Sequence, residues 1–429
     1  MKNIYPLLLL FGTSILFAGC VRERSLNLLH NSNLAAADYW SEEAKILSAG
    51  VGFEGIIAAN FEEVNKENAL AAGAAWLDDS SCDPEELTAY TQLSLGSAVL
   101  RVYRGEIDYN ELKEEAFGLD GLPVVFSWPV LSAEVQPEDF RITLNTGEVV
   151  SAQLAGMFPN YEYNERNCVV LFGEFCNRLT SSDPDSRFPV RMEIVDDGTP
   201  LMLIGPNQQI VSAVGLSWET TTSPYDENNG PRLVGAKLNY CGTKAAGEGI
   251  AGGLLASGVT PNDEFALYGG GDFRLRILTT GGFSPDGARP VKPIDFEQHF
   301  IIHALGANGD TVLINKVGED FQVLGGSLKV IGLSDLGQQQ DTYDECYTED
   351  RDNYIDIILE GDEAAARNIT FLEIPSLEGG YAPFYNPGGP GTTPTPGVSY
   401  SAPGPRDLEP VIIALDDPMR VSYDAYRYR

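Results

Sequence analysis

The feature that most constrains the fold is a series of short segments that alternate apolar and polar residues, beginning after the first quarter of the chain. In FRITL, Phe140, Ile142 and Leu144 fall on one face of an extended chain, and Arg141 falls on the other. Further runs of this kind are PVVFSWPVL, CVVLFGEFC, PVRMEIV, LMLIG and QIVSAVGLSWET, separated by the turn sequences NTGE, DDGT and GPNQQ. About six strands within roughly a hundred residues predict an antiparallel β-sandwich over residues 122–220.

A second β-rich stretch follows the boundary sequence TTTSPYDENNGPR, residues 220–232. Its apolar runs are LVGAKLNYC, EFALYGG, FRLRILTT, FIIHAL, TVLINKV, SLKVIGL, YIDIIL and NITFLEI. They predict a second β-domain over residues 232–375. The pattern does not decide whether this domain is a sandwich or a barrel. Residues 376–429 then combine a Pro/Gly-rich loop with two strand-like runs, PVIIAL and MRVSY. The predicted fold class is therefore mainly β, with tandem antiparallel β-sandwich-like domains.

The region before these domains, residues 20–121, has a different pattern. SEEAKILSAG, NFEEVNKENALAAGAAWL and DPEELTAYTQL carry Ala, Glu and Leu at helical spacing, and YNELKEEAFGL indicates a further short helix. We therefore expect an α-containing N-terminal region.

The first twenty residues, MKNIYPLLLLFGTSILFAGC, predict export from the cell. One basic residue precedes an apolar run that is shorter than the ~20 residues needed to span a bilayer, which is typical of a signal peptide over residues 1–19. Phe17-Ala18-Gly19-Cys20 resembles the lipobox of bacterial lipoproteins, although the family usually has Leu in place of Phe17. The resemblance implies lipidation of Cys20, secretion across the inner membrane and a lipid anchor in the cell envelope. Val21 after the cysteine implies the outer membrane or cell surface.

Residues 122–220 also resemble the bacterial Ig-like modules of surface proteins, especially in VQPEDFRITLNTGEVV. This resemblance implies a fold and not an activity.

The formal net charge of −34 disfavours nucleic acid as a partner, because a phosphate backbone would be repelled over most of the surface. Two explanations of the acidity stay open. It keeps the protein soluble in a salty exterior, or it serves to bind divalent cations.

Five cysteines remain after Cys20, and an oxidising compartment permits disulfides. Cys168 and Cys176 flank VVLFGEF and are candidates for a disulfide that closes a local hairpin; buried thiols are the alternative. The chain has no CxxC spacing, so the sequence predicts no structural zinc site.

Two histidines in DFEQHFIIHALG, His299 and His303, with Glu297 nearby, are candidate metal ligands. On a helix, residues four apart share a face and can bind one ion. On a strand they stand ~13 Å apart, too far for one ion. The surrounding β-like sequence favours the strand.

The most acidic stretch, DECYTEDRDNYIDIILEGDE, covers residues 344–363. Its second half predicts a half-buried strand, with Ile355, Ile357 and Leu359 inward and acids such as Asp356 in solvent. The loop before it can fold around an ion, although it does not match an EF-hand. Its candidate calcium ligands are Asp341, Asp344, Glu345, Glu349, Asp350 and Asp352, and solvated acids are the alternative.

The sequence contains no GxSxG nucleophile motif and no phosphate-binding GxxxxGK[ST] loop. We therefore interpret it as a lipid-anchored, secreted surface protein that acts as a binding, adhesion or envelope-structural module. Its partner would be an envelope protein, a glycan or a peptide. The alternative is an extracellular hydrolase with a carboxylate- or metal-based site, drawn from residues 295–303 and 341–356.

Overall fold

The computed structural model describes residues 39–50, 120–157, 165–177, 179–206, 209–223, 226, 232–241, 268–280, 295–334, 354–375 and 406–416. It also gives the backbone pairing of 249–251, 258–260, 283–284, 337–338, 348–349 and 382–383. The described residues are mainly in antiparallel strands, which confirms the predicted fold class.

The first unit contains ten strands. They are β1 (Ile46–Ala49), β2 (Asp120–Phe126), β3 (Phe140–Leu144), β4 (Val149–Val150), β5 (Leu154–Gly156), β6 (Cys168–Gly173), β7 (Pro189–Ile194), β8 (Met202–Ile204), β9 (Ile210–Ser212) and β10 (Ser217–Glu219). Two short 3-10 helices, Ser132–Glu134 and Pro137–Asp139, precede β3. One sheet has the order β1-β2-β6-β5, the other has the order β10-β7-β3-β4, and β8 pairs with β9.

One apolar core lies between these sheets. β2 contributes Leu122 and Val124, and the opposite sheet contributes Phe140, Ile142 and Leu144, all almost fully buried. The alternation in FRITL thus places its residues as the sequence predicts. The turn NTGE joins β3 to β4, with Gly147 at a positive φ of 84° that favours glycine.

Within SEEAKILSAG, Ile46–Ala49 form a strand, and no part of the segment forms the predicted helix. β1 pairs antiparallel with β2, with Ile46 opposite Phe126. Ser127 strengthens the contact, since its Oγ accepts a hydrogen bond from the Lys45 N–H (2.9 Å) and donates one to the Glu43 carbonyl (2.8 Å). Pairing with β2 therefore overrides a weak helical propensity. The other helices predicted before residue 120 lie outside the described residues.

The second unit contains the remaining strands and two short helices. The strands are β11 (Leu233–Tyr240), β12 (Gly249–Ala251), β13 (Gly258–Thr260), β14 (Phe273–Thr279), β15 (Phe283–Ser284), β16 (Ile301–Leu305), β17 (Thr311–Ile314), β18 (Phe321–Val323), β19 (Gly326–Ser334), β20 (Gly337–Gln338), β21 (Thr348–Glu349), β22 (Tyr354–Gly361), β23 (Ile369–Ile374), β24 (Ala382–Pro383) and β25 (Asp407–Ile413). The helices are α1 (Phe296–His299) and α2 (Glu363–Ala366). No helix in the described part of the chain is long and apolar enough to cross a bilayer.

A single nine-stranded sheet forms most of this unit, in the order β17-β16-β23-β25-β11-β14-β22-β19-β18. It is nearly closed, because its edge strands β17 and β18 lie against each other and Val317 bridges Val330. The apolar core lies inside the curve and includes Leu275, Ile357 and Leu372. The three short pairs β12-β13, β15-β24 and β20-β21 lie apart from this sheet.

The prediction for β22 is confirmed for one face and wrong for the other. Ile355, Ile357 and Leu359 belong to the core, as expected. On the opposite face, Tyr354 and Asp356 are not in solvent but fully buried, because the first unit covers this part of the sheet.

Candidate functional site

A row of polar and charged side chains crosses the outer face of the nine-stranded sheet. Lys237 on β11 lies opposite Arg276 on β14, Arg276 opposite Asp356 on β22, and Asp356 opposite Ser334 on β19. We call these four residues the charged row. Because side chains alternate along a strand, the neighbours of the charged row point into the apolar core.

Asp356 is the centre of the charged row. Arg276 donates two hydrogen bonds to it, from Nε to Oδ1 and from Nη2 to Oδ2, each of 2.7 Å. The Nε of Arg274 lies 3.5 Å from the same Oδ2. All three side chains are almost fully buried. This bidentate geometry matches the planar guanidinium to the carboxylate and satisfies a charge that water does not reach.

The first unit covers the charged row through contacts with polar atoms. The Tyr354 hydroxyl donates a hydrogen bond of 2.5 Å to Asn167 Oδ1, and Asn167 Nδ2 donates to the Phe126 carbonyl. The Trp40 ring lies over β11, with Lys237 Nζ 4.8 Å from its centroid. These contacts join the two units by a cation–π interaction and by buried hydrogen bonds.

Close approach of Trp40 to β11 requires Gly235. A Cβ atom at this position would lie 2.7 Å from Trp40 Cε3, which is shorter than any normal carbon–carbon contact. The glycine in LVGAKLNYC therefore lets the indole ring reach Lys237.

A second polar cluster lies on the outer face of the same sheet. His303 Nε2 lies 2.5 Å from Glu373 Oε2, and Arg406 donates hydrogen bonds to both oxygens of Glu373, at 2.6 and 2.9 Å. Hydrogen bonding by Arg406 lowers the pKa of Glu373, with a smaller contribution from His303, although burial opposes the shift. The cluster connects β16, β23 and the residue before β25.

Apolar side chains surround this cluster on the surface. Leu313 on β17 and Phe371 on β23 are the cross-strand neighbours of His303, and Pro410 on β25 lies opposite Phe371. Leu313 is 45% exposed and Phe371 is 38% exposed. We call Leu313, Phe371 and Pro410 the apolar row. Because Glu373 engages His303, the row presents mainly carbon to solvent.

The two candidate metal-binding histidines occupy different elements. α1 ends at His299 and β16 begins at Ile301, so the segment is neither a continuous strand nor a continuous helix. His299 is fully buried beside Phe300, whereas His303 is engaged by Glu373. Glu297 accepts hydrogen bonds from Lys316 and from the Val317 N–H. Within the described ranges, no three His, Cys, Asp or Glu side chains are grouped to hold a metal ion.

The candidate calcium ligands mostly lie outside the described residues. This applies to Asp341, Asp344, Glu345, Asp350 and Asp352, and also to the lipidation candidate Cys20. Glu349 is in β21, which pairs with β20, but only its backbone is described. Calcium binding and lipidation therefore stay predictions.

The prediction of a disulfide between Cys168 and Cys176 is wrong. Cys168 begins β6 opposite Val125, whereas the Cys176 N–H donates to Asp120, which lies opposite the far end of β6. Five residues of extended strand, ~16 Å, therefore separate the two positions, and a disulfide requires Cα atoms within ~7 Å. Both residues are thiols in the structure.

The charged row is the feature that we did not predict from the sequence. Lys237, Arg274 and Arg276 stand in LVGAKLNYC and FRLRILTT, two otherwise apolar runs. Basic residues at alternate positions of such a run are unusual on a buried strand. Together with the single acid in YIDIIL, they were the available signal for a buried ion pair.

No family model matches the chain, and no significant similarity to a curated protein or to a solved structure is found, so residues and geometry alone support the function proposed below.

Proposed function

We propose that the protein is a lipid-anchored protein of the bacterial cell envelope and that it binds an envelope protein through the apolar row. The apolar row is the observation that carries the binding function. An aromatic and an aliphatic side chain, Phe371 and Leu313, lie on either side of His303 on a sheet face, and exposed apolar surfaces of this kind mark protein contacts. Phe17-Ala18-Gly19-Cys20 supports the anchor and the location.

The charge of the chain limits which partner fits. With 62 acidic against 28 basic residues, a contact surface with a basic rim would be attracted and an acidic one repelled. We therefore propose a partner with an apolar contact region surrounded by Lys and Arg.

The anchor is tested by the mass of the mature N-terminus. Protein extracted from envelopes with detergent should begin at Cys20 and carry the mass of an acylated cysteine. Cys20→Ser should abolish the acyl mass, and Cys176→Ser, the matched control, should keep it. An unmodified N-terminus, or one at another residue, would contradict the proposal.

The binding function is tested with a photo-reactive amino acid at position 371 and, as a control, at Ile210, which is 47% exposed on the first unit. We expect one discrete adduct from position 371 and none from position 210. The identified partner, once purified, should bind at least tenfold more weakly to Leu313→Asp, a loss of about 1.4 kcal/mol, and normally to Ile210→Asp. Equal binding by both variants would rule out the apolar row as the contact.

The calcium site is proposed for residues 341–352 because six of their twelve residues are Asp or Glu. A ligand that binds only the folded state raises its stability. Thermal unfolding should therefore occur at a higher temperature with calcium than with EGTA, and Asp344→Asn with Asp350→Asn should remove the difference. Identical melting curves for the unchanged protein would exclude a tight site.

The hydrolase alternative requires that some of these acids or His303 act on a substrate. It is tested by assaying glycan, phosphoester and ester substrates, and turnover that a point mutation removes would replace the binding function.

A further inference from the structure

The last strand of the described chain, β25, fills the gap between β23 and β11 in the nine-stranded sheet, and we call this gap the seam. β25 lies between β23 and β11. Its first four residues, Asp407–Pro410, pair antiparallel with β23, and Val411–Ile413 pair parallel with β11. Among the described strands no ladder joins β23 to β11 directly, so β25 connects the two halves of the sheet.

The burial of β25 is unusually slight for an internal strand. Leu408, Pro410 and Ile412 are exposed on the outer face. On the inner face Glu409, Val411 and Ile413 are only half-buried, and Val411 and Ile413 pack against the core. β14, by contrast, is buried along its whole length. The ladder to β11 is parallel and only three residues long, and parallel pairing is slightly less stable per residue. The strand therefore opens at a lower free energy than its neighbours.

Polar groups at both ends of the seam bind residues in or next to β25. Arg232, just before β11, donates to both oxygens of Asp407 at 3.0 and 3.1 Å, and the Leu233 N–H donates to Asp407 Oδ2 at 2.7 Å. At the other end, Arg367 forms an ion pair with Asp416. These contacts fix which residues of a strand lie in the seam.

A buried side chain adds an apolar anchor at the end of this segment. Leu415 is only 3% exposed and belongs to the core inside the sheet. A segment that enters the seam therefore needs an apolar residue two positions after its last paired residue, which this chain supplies.

The chain length before β25 does not restrict it to its own copy. Thirty-two residues, 375 to 406, separate β23 from β25. Because β24 lies within this stretch and pairs with β15, the 23 residues from 384 to 406 connect it to β25, and fully extended they reach up to ~75 Å. Every group that binds β25 is present in a second copy, so an exchanged strand makes the same contacts as the original one.

We propose that the segment Asp407–Leu415 exchanges between copies of this protein, so that β25 of one copy fills the seam between β23 and β11 of another. This gives a strand-exchanged dimer, or a chain of copies where the exchange does not close. The proposal goes beyond the binding function above and does not depend on the lipid anchor.

Two variants of the detergent-purified full-length protein, each with one added cysteine, test the exchange. Phe371 and Pro410 are directly opposite, at a Cα separation suited to a disulfide, and both are exposed. Phe371→Cys in one copy and Pro410→Cys in another can join across this pair only if β25 has moved between copies. After mixing, warming and mild oxidation, we expect a covalent heterodimer whose linked peptides contain positions 371 and 410.

Two controls make the outcome decisive. The double variant Phe371→Cys with Pro410→Cys, oxidised before mixing, should give an internal disulfide and should no longer exchange. In the second control, Ile210→Cys is mixed with Pro410→Cys in place of Phe371→Cys, which measures the disulfides formed by random contacts between copies. If the double variant closes its internal disulfide while the mixed single variants give no more 371–410 heterodimer than this control, β25 stays in its own copy and the proposal is wrong.

Discussion

Asp139 in the first unit and Glu373 in the second are buried carboxyl groups whose pKa values shift in opposite directions. In the first unit, Asp139 is fully buried and accepts a hydrogen bond of 2.8 Å from the Gln136 N–H. Burial raises its pKa to about 6, and the nearby acids Asp197 and Glu138 add to the shift. In the second unit, Glu373 is also buried, but Arg406 lowers its pKa. The pKa of Glu373 shifts downwards because Arg406 donates hydrogen bonds to its carboxylate.

This difference follows from where each carboxyl group lies. Asp139 ends the 3-10 helix before β3, where backbone N–H groups donate hydrogen bonds to it. Asp356 and Glu373 are on strands, and a strand places a basic side chain opposite an acid on its neighbour or beside it. Burial thus favours the protonated form of Asp139, whereas the arginine partner favours the charged form of Glu373.

The largest expected effect comes from breaking the charged row. Asp356→Ala leaves Arg276 buried without its bidentate acceptor, and removal of one partner of a buried pair typically costs about 3–5 kcal/mol. We expect the free energy of unfolding in urea to fall by this amount at pH 7. Asp356→Asn keeps the volume and should also be strongly destabilised, because it loses the charge. A loss below about 1 kcal/mol for both variants would show that water replaces the carboxylate.

The next effect concerns Glu373 and depends on pH. Because its folded pKa lies below its unfolded value, Glu373 contributes stability above pH ~4.5, and this contribution is lost as the pH falls through the folded value. Glu373→Gln should cost about 2 kcal/mol at pH 7, typical of a charged hydrogen bond, and less at pH 3. Urea unfolding at pH 7, 5, 4 and 3 measures both. A cost that is independent of pH would mean that the arginine contact is not electrostatic.

Asp139 should show the opposite dependence on pH, with a smaller magnitude. Its folded pKa of about 6 lies above the unfolded value, so the native state binds more protons between pH ~4 and 6 and loses stability as the pH rises through this window. Asp139→Asn removes this loss and should be more stable than the unchanged protein by about 1–2 kcal/mol at pH 8, with no gain at pH 4. Glu174→Gln, at an exposed position of the same unit, is the control. The prediction fails if Asp139→Asn is less stable at pH 8.

Much of the fold was predictable from the sequence, because a strand with one covered face shows its pattern locally. FRITL and YIDIIL each place their apolar residues in a core as expected. SEEAKILSAG failed because Ile46–Ala49 owes its strand to pairing with β2, more than seventy residues later in the chain. The spacing of residues within one segment carries no information about a contact with such a distant segment.

The site was less predictable, for a related reason. The acid at position 356 looks solvated in the sequence, because alternation shows which residues share a face but not what covers the face. Trp40 and Asn167 of the first unit bury that face, and both are more than 180 residues away from Asp356. His303 was a candidate metal ligand in the sequence, but its partner in the structure, Glu373, lies seventy residues later and on another strand.

The smallest effect is expected at an ion pair of the same type on the surface of the first unit. Glu193 accepts hydrogen bonds from Arg141 and Arg191, and the Arg191 bond lowers its pKa most. Arg141 is about half exposed, so water and salt screen the pair. Glu193→Gln should therefore change the free energy of unfolding by less than about 1 kcal/mol, and 1 M salt should remove most of the change. Asp356→Ala breaks the same kind of bond where the first unit buries it. The ratio of the two losses of unfolding free energy therefore measures how much burial by the first unit contributes. Equal losses would mean that burial adds nothing and that the two units differ only in where their arginines lie.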